Sequence, residues 1–248
     1  MGKENIICGK RVIREVINSE VSIDVLYISK KINKDSITDI ILWAKKNSVD
    51  IKFVYENDIH NICESRVSQG IAAKISNYRY YKFGELLNEL EKEEFPCVLI
   101  LDGIQDPRNL GAILRSAECI GIKNIILPQK KSVSITDTVW KTSMGSLAHL
   151  NICRINNLQN VILKLKQKSF KIVATDVNSK MNIGDEKYNF PLAIIVGNEH
   201  EGICDKLLSQ CDIKVKIPMY GNIKSFNVSV AAGIVMYEIK NKQRRYRV

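Results

Sequence analysis

The stretch CVLILDGIQDPRNLGAILRSA, residues 97–117, indicates the fold class because it joins an apolar run directly to a helical pattern. Its first six residues, 97–102, are almost continuously apolar, which predicts a strand buried on both faces. From Leu110 the apolar residues recur at helical spacing, and we expect a helix that ends near Ile120. A buried strand followed by a helix is the repeating unit of a parallel α/β sheet.

The same alternation continues to the end of the chain. Further strands are predicted at 124–128, around 150–154, and at 170–176, 191–197 and 214–218. Further helices are predicted near 137–146 and at 158–168, 204–211 and 228–241. Residues 96–248 are therefore expected to form an α/β domain around a parallel sheet.

The chain before residue 96 has a different organisation. Strand-like runs at 25–28 and 51–54 alternate with helical patterns at 10–18 and 36–46, which predicts a smaller α/β unit. The tyrosine-rich and then acidic segment that follows is typical of a linker with a short helix. We therefore predict a small domain at 1–77, a linker at 78–95 and a larger domain at 96–248.

The basic charge of the protein lies in the larger predicted domain. Residues 1–95 contain 15 Lys or Arg and 15 Asp or Glu, so the net charge of +10 falls within residues 96–248. Such an excess favours a polyanionic partner, RNA or DNA, because binding releases condensed counterions. Composition alone leaves a solvated basic surface as the alternative.

The seven cysteines are odd in number and widely scattered, without a CxxC pair. This pattern argues against a metal site and against a disulfide framework. Cys97 and Cys119 lie in apolar stretches, so we expect both to be buried. The sequence has no apolar run typical of a signal peptide or a membrane span, which predicts a cytoplasmic protein with reduced thiols.

The last predicted helix, NVSVAAGIVMYEI, has apolar or small residues on nearly every face. A surface helix has one apolar stripe, so something must cover both sides of this one. It is either buried within the monomer or part of a subunit interface, where Ala231, Ala232 and Gly233 would allow close helix approach. We favour the interface, and hence a homodimer.

Three polar, glycine-bearing segments follow predicted strands, at 106–115, 197–202 and 217–227. Ligands of parallel sheets bind beyond the carboxyl ends of the strands. Taken singly, these residues could be turns and caps: Asn109 could cap one helix, and Ser225 or Asn227 could cap the last. Their concentration at three strand ends indicates a site instead.

Common nucleotide-binding loops are not found in these segments. GNEHEG, at 197–202, is not followed by Lys and Ser or Thr, and no G-x-G-x-x-G follows a strand. We therefore expect neither a P-loop nucleotidase nor a dinucleotide enzyme.

The three segments resemble a known family. DPRNLGAILRSA (106–117), IIVGNEHEG (194–202) and IPMYGNIKSFNVSVAAGI (217–234) resemble, in order and spacing, the signature motifs of the SpoU (TrmH-type) RNA ribose 2′-O-methyltransferases of the SPOUT superfamily. The resemblance covers residues 96–248. The amino-terminal block, with GKRVIREVI at 9–17, is similar to the ribosomal-protein-like RNA-binding domain of RlmB-type members, which modify a guanosine in large-subunit ribosomal RNA.

This resemblance implies a carboxyl-terminal trefoil knot, a homodimer and S-adenosyl-L-methionine as the methyl donor. Contacts with the donor are expected at Thr175, Gly197, Ile217, Met219 and Phe226. The catalytic and substrate-binding polar residues are expected at Asn109, Arg115, Glu199, Ser225 and Asn227. One departure is Lys224, where the family commonly has Glu.

The expected function is S-adenosylmethionine-dependent 2′-O-methylation of a ribose in structured RNA, with a guanosine of 23S ribosomal RNA as the target. The alternatives are a transfer RNA ribose 2′-O-methyltransferase and a non-catalytic RNA-binding factor of the same fold. The family assigns removal of the hydroxyl proton to the arginine at position 115. Because a guanidinium group in a protein essentially never loses its proton, we interpret Arg115 as a clamp for a phosphate and the developing alkoxide.

Overall fold

The computed structural model describes residues 5–19, 21–63, 68–223 and 225–245. The chain forms two compact units. The first unit comprises residues 1–79 together with 135–149, and the second comprises 80–134 and 150–248. A segment from the middle of the chain therefore belongs to the amino-terminal unit.

The described residues form ten strands and nine α-helices. The strands are β1 (Ile6–Cys8), β2 (Ile23–Ser29), β3 (Asp50–Val54), β4 (Ile71–Ile75), β5 (Cys97–Asp102), β6 (Asn124–Pro128), β7 (Asn151–Ile155), β8 (Lys171–Thr175), β9 (Leu192–Gly197) and β10 (Ile213–Val215). The helices are α1 (Lys10–Ile17), α2 (Thr38–Lys46), α3 (Glu56–Ile62), α4 (Phe83–Glu91), α5 (Pro107–Ile120), α6 (Asp137–Thr142), α7 (Leu158–Gln167), α8 (Asp205–Leu208) and α9 (Val228–Arg245).

The first unit contains a four-stranded mixed sheet in the order β1-β4-β2-β3. Strand β4 pairs antiparallel with β1 and β2, whereas β3 pairs parallel with β2 at the edge. Ile13 of α1, Leu26 of β2 and Ile40 of α2 have no exposed surface. Burial of these apolar side chains against the sheet stabilises the unit.

The segment 135–149 packs within the first unit. Trp140 of α6 meets Tyr78 edge-on, with 6.2 Å between ring centroids. Gly145 has a φ of +86° and lies so close to α1 that an added Cβ would be 2.6 Å from the Cβ of Glu15. Beside it, Nε2 of His149 lies 3.0 Å from Oε2 of Glu15. Both the backbone conformation and the close approach require glycine at position 145.

Two expectations about the cysteines are wrong. Cys8, at the end of β1, forms a disulfide with Cys63, which follows α3, although their 55-residue separation gives no sequence signal of pairing. Cys119 is exposed rather than buried, because it lies on the outer side of α5. Cys97 is buried as expected, and burial raises the pKa of its thiol to about 12.

The second unit is built on a six-stranded sheet in the order β10-β8-β9-β5-β6-β7, and every neighbouring pair is parallel. This confirms the predicted α/β class. Several predicted elements are longer than those observed; for example, α8 covers only 205–208 and β10 only 213–215. Helix α5 begins earlier than expected, because Asp106 caps it and Pro107 occupies its first position.

The sheet of the second unit is covered by helices. One face carries Val98, Ile100 and Ile195, which cluster with apolar residues of α7 and with Leu86 and Leu90 of α4. Helix α4 lies within the predicted linker at 78–95 and contacts β6 and β7. Helices α5 and α9 pack against each other, and α9 also contacts β9.

Helix α9 is covered on only one side within the chain. Its buried side carries Ala232, Val235 and Met236, whereas Val230 and Tyr237 are 49% and 63% exposed. Burial of the whole helix within the monomer is therefore excluded. Although α9 is long, no helix among the described residues is both long and apolar enough to cross a membrane.

Candidate functional site

The three predicted segments lie at or just beyond the carboxyl ends of strands in the second unit. Asp102, the last residue of β5, pairs with Gly197, the last residue of β9. Thr175 ends the neighbouring strand β8, and it pairs with Val215 at the end of β10. The segments at 106–115, 197–202 and 217–227 therefore start from one edge of the sheet.

The first segment forms the start of α5. Oδ1 of Asp106 accepts a hydrogen bond of 2.7 Å from the backbone N–H of Arg108 and so caps the helix. Asn109 consequently lies in the first turn, close to the sheet edge. Asp106 is thus the capping residue here, not Asn109.

The second segment is a tight loop closed by two glycines. The backbone groups of Asn198 and Gly202 exchange two hydrogen bonds of 3.2 Å, and Oδ1 of Asn198 accepts from the N–H groups of His200 and Glu201 at 2.8 and 2.7 Å. A Cβ on Gly197 would lie 2.1 Å from the carbonyl carbon of Gly202. Only glycine fits there, and the resulting turn holds Glu199 at its exposed tip.

Asn198 is a residue of this loop that the sequence prediction missed. Its side chain bonds to backbone groups two and three residues further on, as asparagine commonly does in turns. The sequence signal for this role is an asparagine in a short loop between two glycines, Gly197 and Gly202. The two hydrogen bonds to Asn198 shape the loop that carries Glu199.

The third segment leads into α9. Oδ1 of Asn227 accepts hydrogen bonds from the N–H of Ser229 at 2.9 Å and from its Oγ at 2.6 Å. Asn227 therefore caps the helix, as its sequence position allowed. Its Nδ2 group also donates a hydrogen bond of 3.2 Å to Oδ1 of Asn109.

Asn109 joins the three segments through one amide. Its Nδ2 donates to Oε1 of Glu199, while its Oδ1 accepts from Asn227. An amide can make both contacts because it has a donor and an acceptor, whereas a carboxylate could make only the second. Three of the five predicted polar residues thus form one hydrogen-bonded chain, which fixes the Glu199 carboxylate relative to the two helices.

Arg115 and Ser225 are not part of this hydrogen-bonded network. Ser225 is exposed and hydrogen-bonds to none of the described network residues. Arg115 is exposed on α5, roughly 9 Å further along the helix axis than Asn109 at the usual rise per residue. It forms no ion pair with a carboxylate in the described part of the chain, so its guanidinium group is available for a phosphate.

The residues predicted to contact the methyl donor follow three neighbouring strands. Thr175 donates from Oγ1 to the carbonyl of Ile195 at 3.2 Å, so its hydroxyl already ties β8 to β9. Gly197 is buried, Ile217 and Met219 are half-buried, and Phe226 is 43% exposed. Apolar side chains beside backbone groups at strand ends form a lining typical of small-molecule sites.

One cavity of the second unit lies away from most of these residues. It has a volume of about 620 Å³ and is lined by Ile217 and Pro218 on one side and by Ile234 and Tyr237 of α9 on the other. Of the five predicted donor contacts it includes only Ile217. We therefore assign this cavity to the exposed face of α9 and not to the methyl donor.

The fold is a parallel α/β domain with a candidate ligand site where β8, β9 and β5 end. Comparison with known proteins gives the family. The profile of the SpoU rRNA Methylase family matches residues 96–237, and that of RNA 2′-O ribose methyltransferase substrate binding matches residues 6–81.

Similar proteins cover nearly the whole chain. A protein of Staphylococcus haemolyticus named as a TrmH family tRNA/rRNA methyltransferase is 34% identical over 241 residues, which are 97% of this chain and 96% of that protein. One of the same name in Staphylococcus aureus is 35% identical over 242 residues, or 97% of each chain.

Solved structures share the fold. The AdoMet-bound rRNA methyltransferase of Sinorhizobium meliloti aligns with a TM-score of 0.81 at 21% identity, over 99% of this chain and 88% of that chain. The SpoU methyltransferase AviRb of Streptomyces viridochromogenes, with AdoMet, also gives 0.81, at 20% identity over 98% and 92%.

The chain belongs to the SpoU rRNA methylase family. It is an RNA ribose methyltransferase, and its donor is the one the motifs predict, S-adenosylmethionine. The family departure at Lys224 lies outside the described residues.

Proposed function

We propose that this protein transfers a methyl group from S-adenosylmethionine to the ribose 2′-hydroxyl of a guanosine in 23S ribosomal RNA. The observation that carries the proposal is the hydrogen-bonded chain Glu199–Asn109–Asn227, which links all three family motifs at one sheet edge. The family supports the reaction class, and the substrate-binding profile over residues 6–81 supports a structured RNA target.

The donor supplies an electrophilic methyl group, and the chain must hold the accepting oxygen in line with it. Gly197, Ile217 and Met219 would hold the donor, together with Thr175 and Phe226. Because Thr175 and Gly197 end adjacent strands, this part of the site is rigid.

The polar chain would orient the target ribose. Asn109 fixes one carboxylate oxygen of Glu199 and leaves the other available to accept from a ribose hydroxyl or base amino group. Ser225, exposed in the same segment as Asn227, can add a further hydroxyl contact. These groups position the nucleotide and carry no part of the methyl group's chemistry.

Arg115 would bind the phosphate of the target nucleotide and stabilise negative charge that develops on the 2′-oxygen. Its exposed position without an ion-pair partner in the described residues suits this task. The hydroxyl proton would pass to water or a phosphate oxygen, because the guanidinium group cannot accept it.

The rest of the chain would deliver the RNA. We infer that residues 1–77 bind the substrate and that residues 96–248 carry out the reaction. Residues 78–95 would link these two parts. We also infer that the protein acts in the cytoplasm. The net charge of +10, all within residues 96–248, supports contacts with RNA phosphates.

We further infer a homodimer and a trefoil knot in the carboxyl-terminal segment. The exposed apolar side of α9, with Val230, Ile234 and Tyr237, supports the dimer. Light scattering that gave only the 28.2 kDa species at micromolar concentration would contradict the dimer. Mechanical stretching from both ends should leave a chain shorter than its full contour length if the knot is present.

The RNA substrate can be identified by mapping 2′-O-methylation in ribosomal and transfer RNA from a strain that lacks this gene. Loss of one guanosine methylation in 23S ribosomal RNA, restored by the wild-type gene, is the expected result. Loss in a transfer RNA would assign the enzyme to that substrate instead. Unchanged methylation, with no binding of S-adenosylmethionine by calorimetry, would favour the non-catalytic RNA-binding factor.

A further inference from the structure

The first unit carries a surface on which two aromatic rings and two lysines lie together. Phe53 of β3 is 46% exposed and Tyr55, just after this strand, is 67% exposed. Nζ of Lys30 lies 4.1 Å from the ring centroid of Tyr55, and Nζ of Lys34 lies 5.4 Å from that of Phe53. We call these four residues the basic aromatic patch.

The backbone fixes this arrangement. Strand β3 is the edge strand of its sheet, and residues two apart on a strand point to the same side, so both rings are displayed together. The loop after β2 is bound to this strand, because the N–H of Lys30 donates to the carbonyl of Val54 at 3.0 Å. The lysines are therefore held beside the rings by main-chain contacts.

The positive charge of the patch is not neutralised. Lys30, Lys31 and Lys34 fall within five residues, and none forms an ion pair with any carboxylate that the structure describes. Asp35 and Glu56 flank the patch without pairing with it. By contrast, Lys52 on the same strand lies 3.8 Å from Asp50.

We propose that the basic aromatic patch binds unpaired nucleotides of the RNA substrate. Bases stack on Phe53 and Tyr55, and the lysine ammonium groups contact the flanking phosphates. The inference rests on the proposed function, since it assumes that the first unit meets RNA. Exposed aromatic rings with nearby cations suit a single strand, because bases inside a duplex are already stacked and cannot reach the rings.

The test compares binding of the full chain to three fluorescein-labelled RNA decamers: a single-stranded oligouridylate, the same backbone with abasic sites, and a duplex. Wild type should bind the oligouridylate at least about tenfold more tightly than the abasic strand, the scale of stacking lost with one or two rings. The double variant Phe53→Leu/Tyr55→Leu keeps apolar bulk but removes the rings, and should bind both strands equally.

Three controls separate stacking from charge and from folding. Phe53→Tyr/Tyr55→Phe should retain the preference for bases. Lys30→Gln/Lys34→Gln should weaken binding of both strands and reduce the salt slope by roughly 1.4, at about 0.7 per lost phosphate contact. Leu42→Ala, at an exposed apolar residue of α2, should change nothing.

A leucine variant that still prefers bases, or a wild type that binds the duplex as tightly as the single strand, would overturn the proposal. Methyl transfer is measured separately with the same variants. A protein that shows the base preference but methylates no RNA would leave the patch intact and refute the proposed function. A protein that methylates RNA but shows no preference for bases would refute the patch and leave the proposed function intact.

Discussion

Arg115 differs from Asn109, Glu199 and Asn227 because its side chain takes no part in their hydrogen-bonded network. It is exposed, whereas Leu114 and Ala117 form the packed side of α5. A residue with this position can be replaced without loss of packing. Its contribution to the reaction can therefore be measured directly.

Arg115→Ala should leave the melting temperature and the affinity for S-adenosylmethionine close to wild type. Turnover should fall by about a hundredfold or more, the scale of one lost transition-state charge contact. Calorimetry and a methyl-transfer assay check the two parts. Undiminished turnover would remove Arg115 from the mechanism.

Arg115→Lys distinguishes the clamp from a base. A clamp would recover part of the rate, because lysine keeps the charge but loses the planar fork. A base at this position would instead work as well or better at high pH, since lysine has the lower pKa. The pH–rate profile of this variant separates the two mechanisms.

Asn109→Asp should break the hydrogen bond to Glu199 without changing the shape of the side chain at position 109. The new carboxylate would face Glu199 with no donor, so turnover at neutral pH should fall by roughly tenfold or more. The deficit should shrink as the pH falls, because protonation of one carboxyl group restores a donor. Asn88→Asp, at an exposed position of α4, is the matched control. An equal loss in both variants, or a pH-independent deficit in Asn109→Asp, would contradict the assigned contact.

The segment 135–149 is held in the first unit by the close contact between Gly145 and α1. Gly145→Ala should reduce the free energy of unfolding by about 1–3 kcal/mol, because alanine is strained at positive φ and its Cβ meets Glu15. Gly84→Ala is the control, because nothing lies within 4 Å of an added Cβ there. Denaturant unfolding measures both, and equal stability of the two variants would show that the contact is not as tight as described.

The elements of the second unit were predicted well because its strands are continuous apolar runs. Strand β5 matches its predicted range, and α7 differs by one residue. The first unit was predicted less completely. Strand β1 has only three residues and β4 contains two alanines, so neither has a clear pattern, and they are defined by pairing with each other.

The sequence likewise predicted one part of the site and missed another. The positions of Asn109, Glu199 and Asn227 follow from motif order and spacing, and their mutual hydrogen bonds agree with that prediction of a shared edge. Asn198 has a local signal that the prediction missed, whereas the packing of Gly145 on α1 depends on contacts between distant chain segments. Such contacts leave no local pattern, so sequence reasoning could not find them.

The disulfide between Cys8 and Cys63 is a covalent link that the sequence did not predict. Purified without reductant and then denatured, the protein should titrate as five free thiols, and as seven after reduction. The oxidised form should be more stable by about 2–4 kcal/mol, since the bond restricts the unfolded chain. Cys8→Ser/Cys63→Ser should be insensitive to reductant. Seven thiols before reduction would contradict the pairing.

The proposed reaction attaches the methyl group to a ribose oxygen of RNA. The most direct measurement is mass spectrometry of nucleosides from ribosomal RNA that the purified enzyme has modified with S-adenosylmethionine bearing a deuterated methyl group. We expect label in a 2′-O-methylated nucleoside, at a position resistant to alkaline cleavage, and almost no label with Arg115→Ala. Label on a base, or no label in any RNA despite donor binding, would contradict the proposed reaction.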